Sequence, residues 1–151
     1  MKRIKISVFY LFAFMALVMV GCSDDDNVNK KTDGEIEDLI IGTWKITASE
    51  GYEISYMGTD KEKKDEWSEN YTEDFTFLEF DVDGIGIEYS EGEGSYEDPF
   101  TWTVKNKQVI LKDKYGDRYV YDIIELTSTK LVVEDKEDED FYNKITHVKV
   151  K

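Results

Sequence analysis

The sequence has very few of the residues that build disulfides, metal centres or catalytic triads. Among 151 residues there is one cysteine, Cys22, one histidine, His147, and one proline, Pro99. A single cysteine cannot form an intramolecular disulfide, and a single histidine cannot supply a zinc cluster or a serine-type triad. The chain also lacks a Gly-x-Ser-x-Gly elbow, a phosphate-binding loop and a cysteine–histidine pair. These absences predict a protein that is not an enzyme and that holds no metal and no cofactor.

Positive charge is scarce as well. There are 19 lysine and arginine residues against 34 acidic residues, which gives a net charge of −15. Without residues 1–21, which contain three basic residues and no acid, the net charge becomes −18. Such a surface repels nucleic acid and anionic lipid, so we expect no nucleic acid partner. With 34 acids, the sequence cannot single out a carboxylate pair for hydrolysis.

The N-terminus has the features of a secretory signal. Three basic residues, Lys2, Arg3 and Lys5, precede an apolar run over residues 6–20. This order of charge and hydrophobicity is typical of a signal peptide. A membrane-spanning helix is the alternative, but it needs about 20 apolar residues, and this run is shorter and ends before acidic residues. We therefore interpret residues 1–21 as a signal peptide.

The single cysteine follows this run directly. The segment "VMVGC" resembles the lipobox of bacterial lipoproteins, which implies that Cys22 becomes the lipidated first residue of the mature chain. Several acyl chains, palmitate among them, hold a protein at a membrane almost permanently. A free thiol is the alternative. Asp24, Asp25 and Asp26 resemble the surface-export signal of some Gram-negative lipoproteins, although a solvated linker has the same composition. We therefore predict that a lipid anchor holds the protein at the outer membrane and that the protein is exposed on the cell surface.

One domain is predicted to follow a polar tether. Residues 22–34 carry no aromatic residue and are predicted to be flexible. Residues 35–151 have the length of a single domain. Their many aromatic residues supply enough apolar area for a core, which argues against disorder.

Runs with a period of two dominate this domain. After a helical turn at residues 35–42, "TWKITAS" and "YEISYM" are predicted to form a hairpin around Glu50-Gly51. The charged residues 57–70 are predicted to form a long mobile loop. In "FTFLEF", residues 75–80, the apolar positions change phase, which predicts a β-bulge.

A second hairpin is predicted at Asp83-Gly84, where both central residues of a type I′ turn would have positive φ. Further turns are predicted at Asn106-Lys107, at residues 115–117 and around Ser128-Thr129. The Asp83-Gly84 turn explains "DVDG" without a calcium site, since the further oxygen ligands of an EF-hand loop are missing. The other acidic loops could bind calcium only weakly. Nine strand-like runs with short connections leave no room for crossover helices, which predicts an antiparallel meander. It would form a sandwich or a barrel, and we favour the barrel because closure removes exposed edges.

The sequence resembles the lipocalin-like domains of bacterial surface lipoproteins. The resemblance lies in the helical turn before "IIGTWKI", in the Gly42-x-Trp44 pair and in "LTSTKLVVED", and it covers most of residues 36–151. It implies an all-β, up-and-down barrel of eight, or up to nine, strands. Trp44 would pack at the closed end, and the other end would admit a small apolar ligand.

Some aromatic side chains of such a barrel must point inward. The candidates for the interior or a pocket are Trp44, Phe77, Phe80, Trp102, Tyr119 and Tyr121. An eight-stranded barrel is just wide enough to be filled by side chains or to hold one small ligand, and both outcomes stay open here. His147 is predicted to be solvated, because alternation places it opposite the face of Val148 and Val150.

Two functions follow from these alternatives. The first is an anchored, non-enzymatic barrel that binds or carries a small apolar or amphipathic molecule. The second is a filled barrel whose loops 57–70 and 90–98 contact an envelope protein or an external macromolecule; a hydrolase is a weaker third. An empty cavity lined by Trp102 and Tyr121 would favour the first, and a solid interior with an exposed aromatic patch would favour the second.

Overall fold

Nine strands follow a short helical segment in the part of the chain that the structure describes. The computed structural model describes residues 27–72, 76–92, 94–136 and 139–151. A 3-10 turn, Val28–Lys30, precedes helix α1, Asp33–Ile40. Neither described helical segment has the length and apolar character needed to cross a bilayer. The strands are β1 Gly42–Ser55, β2 Lys63–Asn70, β3 Thr76–Phe80, β4 Ile85–Ser90, β5 Glu97–Lys105, β6 Gln108–Asp113, β7 Arg118–Leu126, β8 Lys130–Asp135 and β9 Phe141–Lys149.

Eight of these strands close into an antiparallel barrel, because β1 pairs along both of its edges. Strand β9 occupies one edge of β1. On the other edge, β3 pairs with residues 42–45 and β2 pairs with residues 48–55. From β3 to β9 each strand pairs with the next one along the chain. The predicted all-β, up-and-down barrel is therefore confirmed, with β2 as an extra strand outside the closed circle.

The first hairpin is longer than predicted. Strand β1 continues through Gly51 without a turn, and the chain reverses at residues 56–62 instead. The predicted turn at Gly51 and the predicted loop at residues 57–70 are both wrong. Gly51 leaves space for the ring of Trp67 on β2, whose Nε1 donates a hydrogen bond to Ser49 Oγ at 3.1 Å. The charged sequence of β2 is compatible with a strand, because β2 forms an exposed edge.

Strand β3 has apolar residues on both faces, which accounts for the phase change at residues 75–80 without a bulge. The register between β3 and β4 is unbroken, so the predicted bulge is wrong; the register shifts lie in β1 and β7. Leu78 and Phe80 face the core. Phe77 lies on the opposite face and stacks on Tyr89, with 5.1 Å between ring centroids. Phe77 is therefore not an interior residue.

Hairpin turns lie where glycine and asparagine predicted them, but their geometries differ. The β3–β4 connection is a loop of residues 81–84 in which Gly84 has a φ of 71° and Asp83 has no positive φ. It is therefore not the predicted two-residue type I′ turn. That geometry occurs at Asn106 and Lys107, whose φ angles are 53° and 63°.

The helical segment closes one end of the barrel. A reciprocal capping box starts α1: Glu35 N–H donates to Thr32 Oγ1, and Thr32 N–H donates to Glu35 Oε2 at 2.7 Å. Val28, Ile36 and Ile40 are buried in the barrel core. The predicted flexible tether at residues 22–34 thus overlaps with ordered structure from residue 27 onward, because Val28 has an apolar site to fill.

A carboxylate fastens this helix to the barrel. Asp33 accepts hydrogen bonds from the backbone N–H groups of Asn106 and Lys107, at 2.9 and 3.0 Å. Asn106 and Lys107 both have a left-handed backbone conformation, which directs their N–H groups to one side, where they form a small anion-binding site. Lys107 Nζ also donates to the Asn29 carbonyl at 2.6 Å. The β5–β6 turn and the N-terminal segment therefore hold each other in place.

Candidate functional site

The barrel contains two adjoining cavities that share part of their lining. The mouth cavity, of about 340 Å³, lies beside the β6–β7 connection. In an up-and-down meander this connection is at the end opposite the β5–β6 turn, which α1 covers. The inner cavity, of about 90 Å³, lies deeper between the sheet walls. Glu88, Leu111 and Tyr121 line both cavities, so the two spaces meet at these side chains.

Below the inner cavity the closed end is filled by side chains. Trp44 is fully buried and donates a hydrogen bond from Nε1 to the Ile40 carbonyl at 2.6 Å. Lys149 Nζ lies 4.9 Å from the centre of the Trp44 ring and donates to the Leu39 carbonyl at 2.9 Å. Burial lowers the pKa of Lys149. The barrel is therefore open at one end only.

Carboxylates and tyrosine rings surround the mouth cavity. Asp98 pairs with Lys114 at 2.6 Å, and this hydrogen bond raises the pKa of the Lys114 ammonium. Asp113 Oδ1 accepts two backbone N–H groups of the β6–β7 turn, at 2.8 and 2.9 Å. Glu88 accepts a hydrogen bond from the Tyr96 hydroxyl at 2.5 Å. The lining therefore has more negative than positive groups, which favours a cationic or hydroxylated ligand over an anionic one.

Half of the six predicted interior residues line a cavity. Tyr121 lines both cavities, and Tyr119 lines the mouth cavity. Trp102 is buried against Phe80 in an edge-to-face contact, and its Nε1 donates to the carbonyls of Asp81 and Ile85 rather than facing a cavity. Trp44 and Phe80 belong to the core, although Phe80 also borders the inner cavity, and Phe77 is on the outer surface. Cys22, Asp24, Asp25 and Asp26 lie outside the described residues.

His147 is buried inside the barrel, so the prediction that it is solvated is wrong. Alternation does place it opposite Val148 and Val150, but those two valines form the exposed side. His147 is only 2% exposed and lines the inner cavity. Burial lowers its pKa to about 4, so the ring is neutral at neutral pH. The sequence did contain a signal for this burial. Ile145 lies two residues earlier, on the same face of the strand, and it also lines the inner cavity.

An aromatic pair extends the inner wall beyond the barrel. Trp67 of β2 and Phe141 of β9 lie 6.1 Å apart between ring centroids. Asn143, on the same face of β9 as Phe141, has a buried Oδ1 with no hydrogen-bond partner among the described residues. Sequence reasoning missed this group because it treated residues 57–70 as a loop.

The described residues offer no metal centre: no three of their His, Cys, Asp and Glu side chains are arranged to hold an ion. What remains is a closed antiparallel barrel with a helical cap at one end and adjoining cavities toward the other, which is the architecture of a lipocalin-type barrel. The model of the lipocalin-like domain family matches residues 40–133, well over half of the chain. The chain belongs to this family.

Two solved structures are similar to part of this chain. A lipocalin-like protein from Bacteroides uniformis is 11% identical, with 74% of this chain and 99% of that chain covered and a TM-score of 0.47. An uncharacterized protein from Bacteroides eggerthii is 12% identical, with the same coverage of 74% and 99% and a TM-score of 0.48. No curated protein matches the chain.

Proposed function

We propose that this protein is a non-enzymatic, lipid-anchored envelope protein that binds a small amphipathic molecule in the open end of its barrel. The observation that carries the proposal is the pair of adjoining cavities, the mouth cavity and the inner cavity, whose linings share Glu88, Leu111 and Tyr121. Ligand sites in proteins are concave, mostly apolar and usually formed in advance, with volumes from about 300 Å³ upward. The mouth cavity falls in this range.

The two cavities differ in polarity, which defines the class of ligand. The inner cavity is bordered mainly by aliphatic side chains such as Leu78, Val133 and Ile145. The mouth cavity is bordered by Glu88, Asp98 and tyrosine rings. An amphipathic molecule would bury its apolar part inside and leave a polar, preferably uncharged or cationic, group at the mouth.

The two adjoining cavities argue against a filled barrel that acts only through its loops. Core side chains fill the closed end around Trp44, but the same packing does not continue to the mouth. The described residues also contain no set of three candidate metal ligands, and the sequence has no nucleophile motif. We therefore infer binding rather than catalysis.

Dye binding tests the site. N-phenyl-1-naphthylamine becomes fluorescent in apolar surroundings, and we expect it to bind the wild-type chain with saturation. Leu111→Trp places a large ring where the cavities meet and should weaken dye binding at least about tenfold. Ile110→Trp is the matched control, because Ile110 lies on the opposite face of β6. Equal dye binding by both variants and the wild type would contradict the assignment of the site.

The anchor is proposed from Cys22 and its preceding apolar run, which are outside the described residues. Acyl chains on Cys22 would hold the protein at the membrane, and Asp24, Asp25 and Asp26 would direct it to the cell surface. Cys22→Ser should release the protein into the soluble fraction. If the variant still sediments with membranes after a salt wash, the anchor is not a lipid on this cysteine.

A further inference from the structure

Glu88 places a carboxylate on the inner face of the barrel wall. It lies on β4 opposite Leu78 of β3, which packs against the core, and directly opposite Asp98 of β5. Paired residues of neighbouring strands point to the same face, so both carboxylates point inward. The Glu88 side chain is half-buried and lines both the mouth cavity and the inner cavity. A charged group thus lies where the polar and the apolar parts of the site adjoin.

Of this carboxylate pair, one member has a cationic partner within the part of the chain that the structure describes. Lys114 Nζ lies 2.6 Å from Asp98 Oδ1, whereas no lysine or arginine of the described residues forms an ion pair with Glu88. Glu88 accepts its hydrogen bond from the uncharged Tyr96 hydroxyl. Asp113, the third carboxylate of the mouth, accepts backbone N–H groups of the β6–β7 turn. Like charges directly opposite each other destabilise a sheet, and a cation beside Glu88 would relieve this repulsion.

The mouth already holds one ammonium group, that of Lys114. Its Nζ atom pairs with Asp98 and lies 5.2 Å from the centre of the Tyr115 ring. A carboxylate and an aromatic ring together stabilise an ammonium group. Glu88 has an aromatic neighbour of the same kind, because Tyr121 lines both cavities with it. A ligand ammonium at Glu88 would therefore have surroundings similar to those of Lys114 Nζ.

We propose that the barrel selects alkylammonium compounds, whose ammonium group pairs with the Glu88 carboxylate while the apolar chain enters the inner cavity. This inference rests on the proposed function and names its ligand class. Aliphatic side chains such as Leu78, Val133 and Ile145 border the inner cavity and suit a hydrocarbon chain. A neutral head group would leave Glu88 without a cationic partner, and a carboxylate head group would add a negative charge beside Glu88 and Asp98.

Octylamine, 1-octanol and octanoate test this ligand class, because they share an eight-carbon skeleton and differ in the charge of the head group. Octylamine is a cation at neutral pH, since an alkyl amine titrates near pH 10, as a lysine side chain does. Calorimetry measures the three affinities for the full chain that carries Cys22→Ser. We expect octylamine to bind about tenfold more tightly than 1-octanol, because it adds a hydrogen bond between charged groups, and octanoate to bind most weakly.

Two glutamine substitutions separate the effect of Glu88 from that of the negative charge of the whole protein. Glu88→Gln keeps the size of the side chain and an acceptor for the Tyr96 hydroxyl, but it removes the charge. Glu79→Gln makes the same change of net charge outside the barrel, because Glu79 lies between the core-facing Leu78 and Phe80. We expect Glu88→Gln to bring the affinities of octylamine and 1-octanol within about twofold, and Glu79→Gln to keep the tenfold difference.

Intermolecular nuclear Overhauser effects in the chain with Glu88 intact decide the orientation even if Glu88→Gln does not fold. The methylene group beside the ammonium should contact Glu88, and the terminal methyl group should contact Val133 and Ile145. The opposite orientation overturns the inference and leaves the proposed function in place. Equal affinities for octylamine and 1-octanol, or a preference for octylamine that survives in Glu88→Gln, do the same.

Binding of N-phenyl-1-naphthylamine distinguishes the remaining outcomes. If the dye binds and none of the three eight-carbon compounds does, the inference is overturned and the proposed function stands. If neither the dye nor any of these compounds binds, the inference and the proposed function are both overturned.

Discussion

Acid should destabilise the barrel through His147. In an unfolded chain this histidine takes up a proton near its ordinary pKa of 6.5, whereas in the folded protein burial lowers the pKa to about 4. Between these values the unfolded state binds more protons, so the free energy of unfolding falls as the pH falls. The full shift corresponds to about 3 kcal/mol, at 1.36 kcal/mol for each pKa unit. This is a large part of the stability of a small domain, which is about 5 to 15 kcal/mol.

Urea unfolding followed by tryptophan fluorescence measures the effect. The wild type and His147→Phe are compared at several pH values between pH 7 and pH 4. The many carboxylates contribute equally to both proteins, so their effect cancels in the difference between the two free energies of unfolding. The substitution also removes the interaction of the ring with the Leu131 backbone and a nitrogen without a hydrogen-bond partner, so the informative quantity is the change of stability with pH. We expect the wild type to lose about 3 kcal/mol more than the variant over this range. Parallel curves for the two proteins would refute the reasoning that His147 is buried and neutral.

Two further predictions concern the wall and the cap of the barrel. Gly51→Ala would drive a Cβ against the Tyr142 carbonyl oxygen and should lower the free energy of unfolding by about 1 to 3 kcal/mol. Gly34→Ala, in a helix with open space around the new methyl group, should raise the free energy of unfolding by about 0.5 to 1 kcal/mol. Thermal unfolding compares the two variants, and equal melting temperatures would contradict the close contact at Gly51. Asp33→Asn weakens the acceptor for two backbone N–H groups and should lower the free energy of unfolding in urea by about 1 kcal/mol. Asp38→Asn, at an exposed position of the same helix, should change it little. Similar losses of stability in both variants would show that the Asp33 contact does not stabilise the cap.

Much of the fold could be predicted from local patterns. Alternation and short turns predicted an antiparallel meander, and the barrel is observed. The turn at Asn106 and Lys107 lies where predicted, because the residues that favour a turn act within a few positions of the chain. The lipocalin-like family is shown by the match to residues 40–133.

The errors have a common cause. Gly51 resembles a turn residue, yet its role is to make room for a ring sixteen residues later, and β2 resembles a loop because both its faces are exposed. The cavity site was only partly predictable. Tyr119 and Tyr121 do line it, while Glu88 was not among the predicted pocket residues, and Trp102 was expected there but packs elsewhere. Such contacts depend on which strands become neighbours in space.

The sequence by itself determined the strand periods, the scarcity of cationic, thiol and imidazole groups, and the apolar N-terminal run before Cys22. Only the tertiary structure decided which face of each strand is the inner one. Alternation has a period of two and separates two faces without saying which will be buried, since that depends on barrel closure. His147 shows the consequence: its position opposite Val148 was evident, but closure of β9 on β1 placed its ring at the cavity wall, where Nδ1 has no hydrogen-bond partner among the described residues.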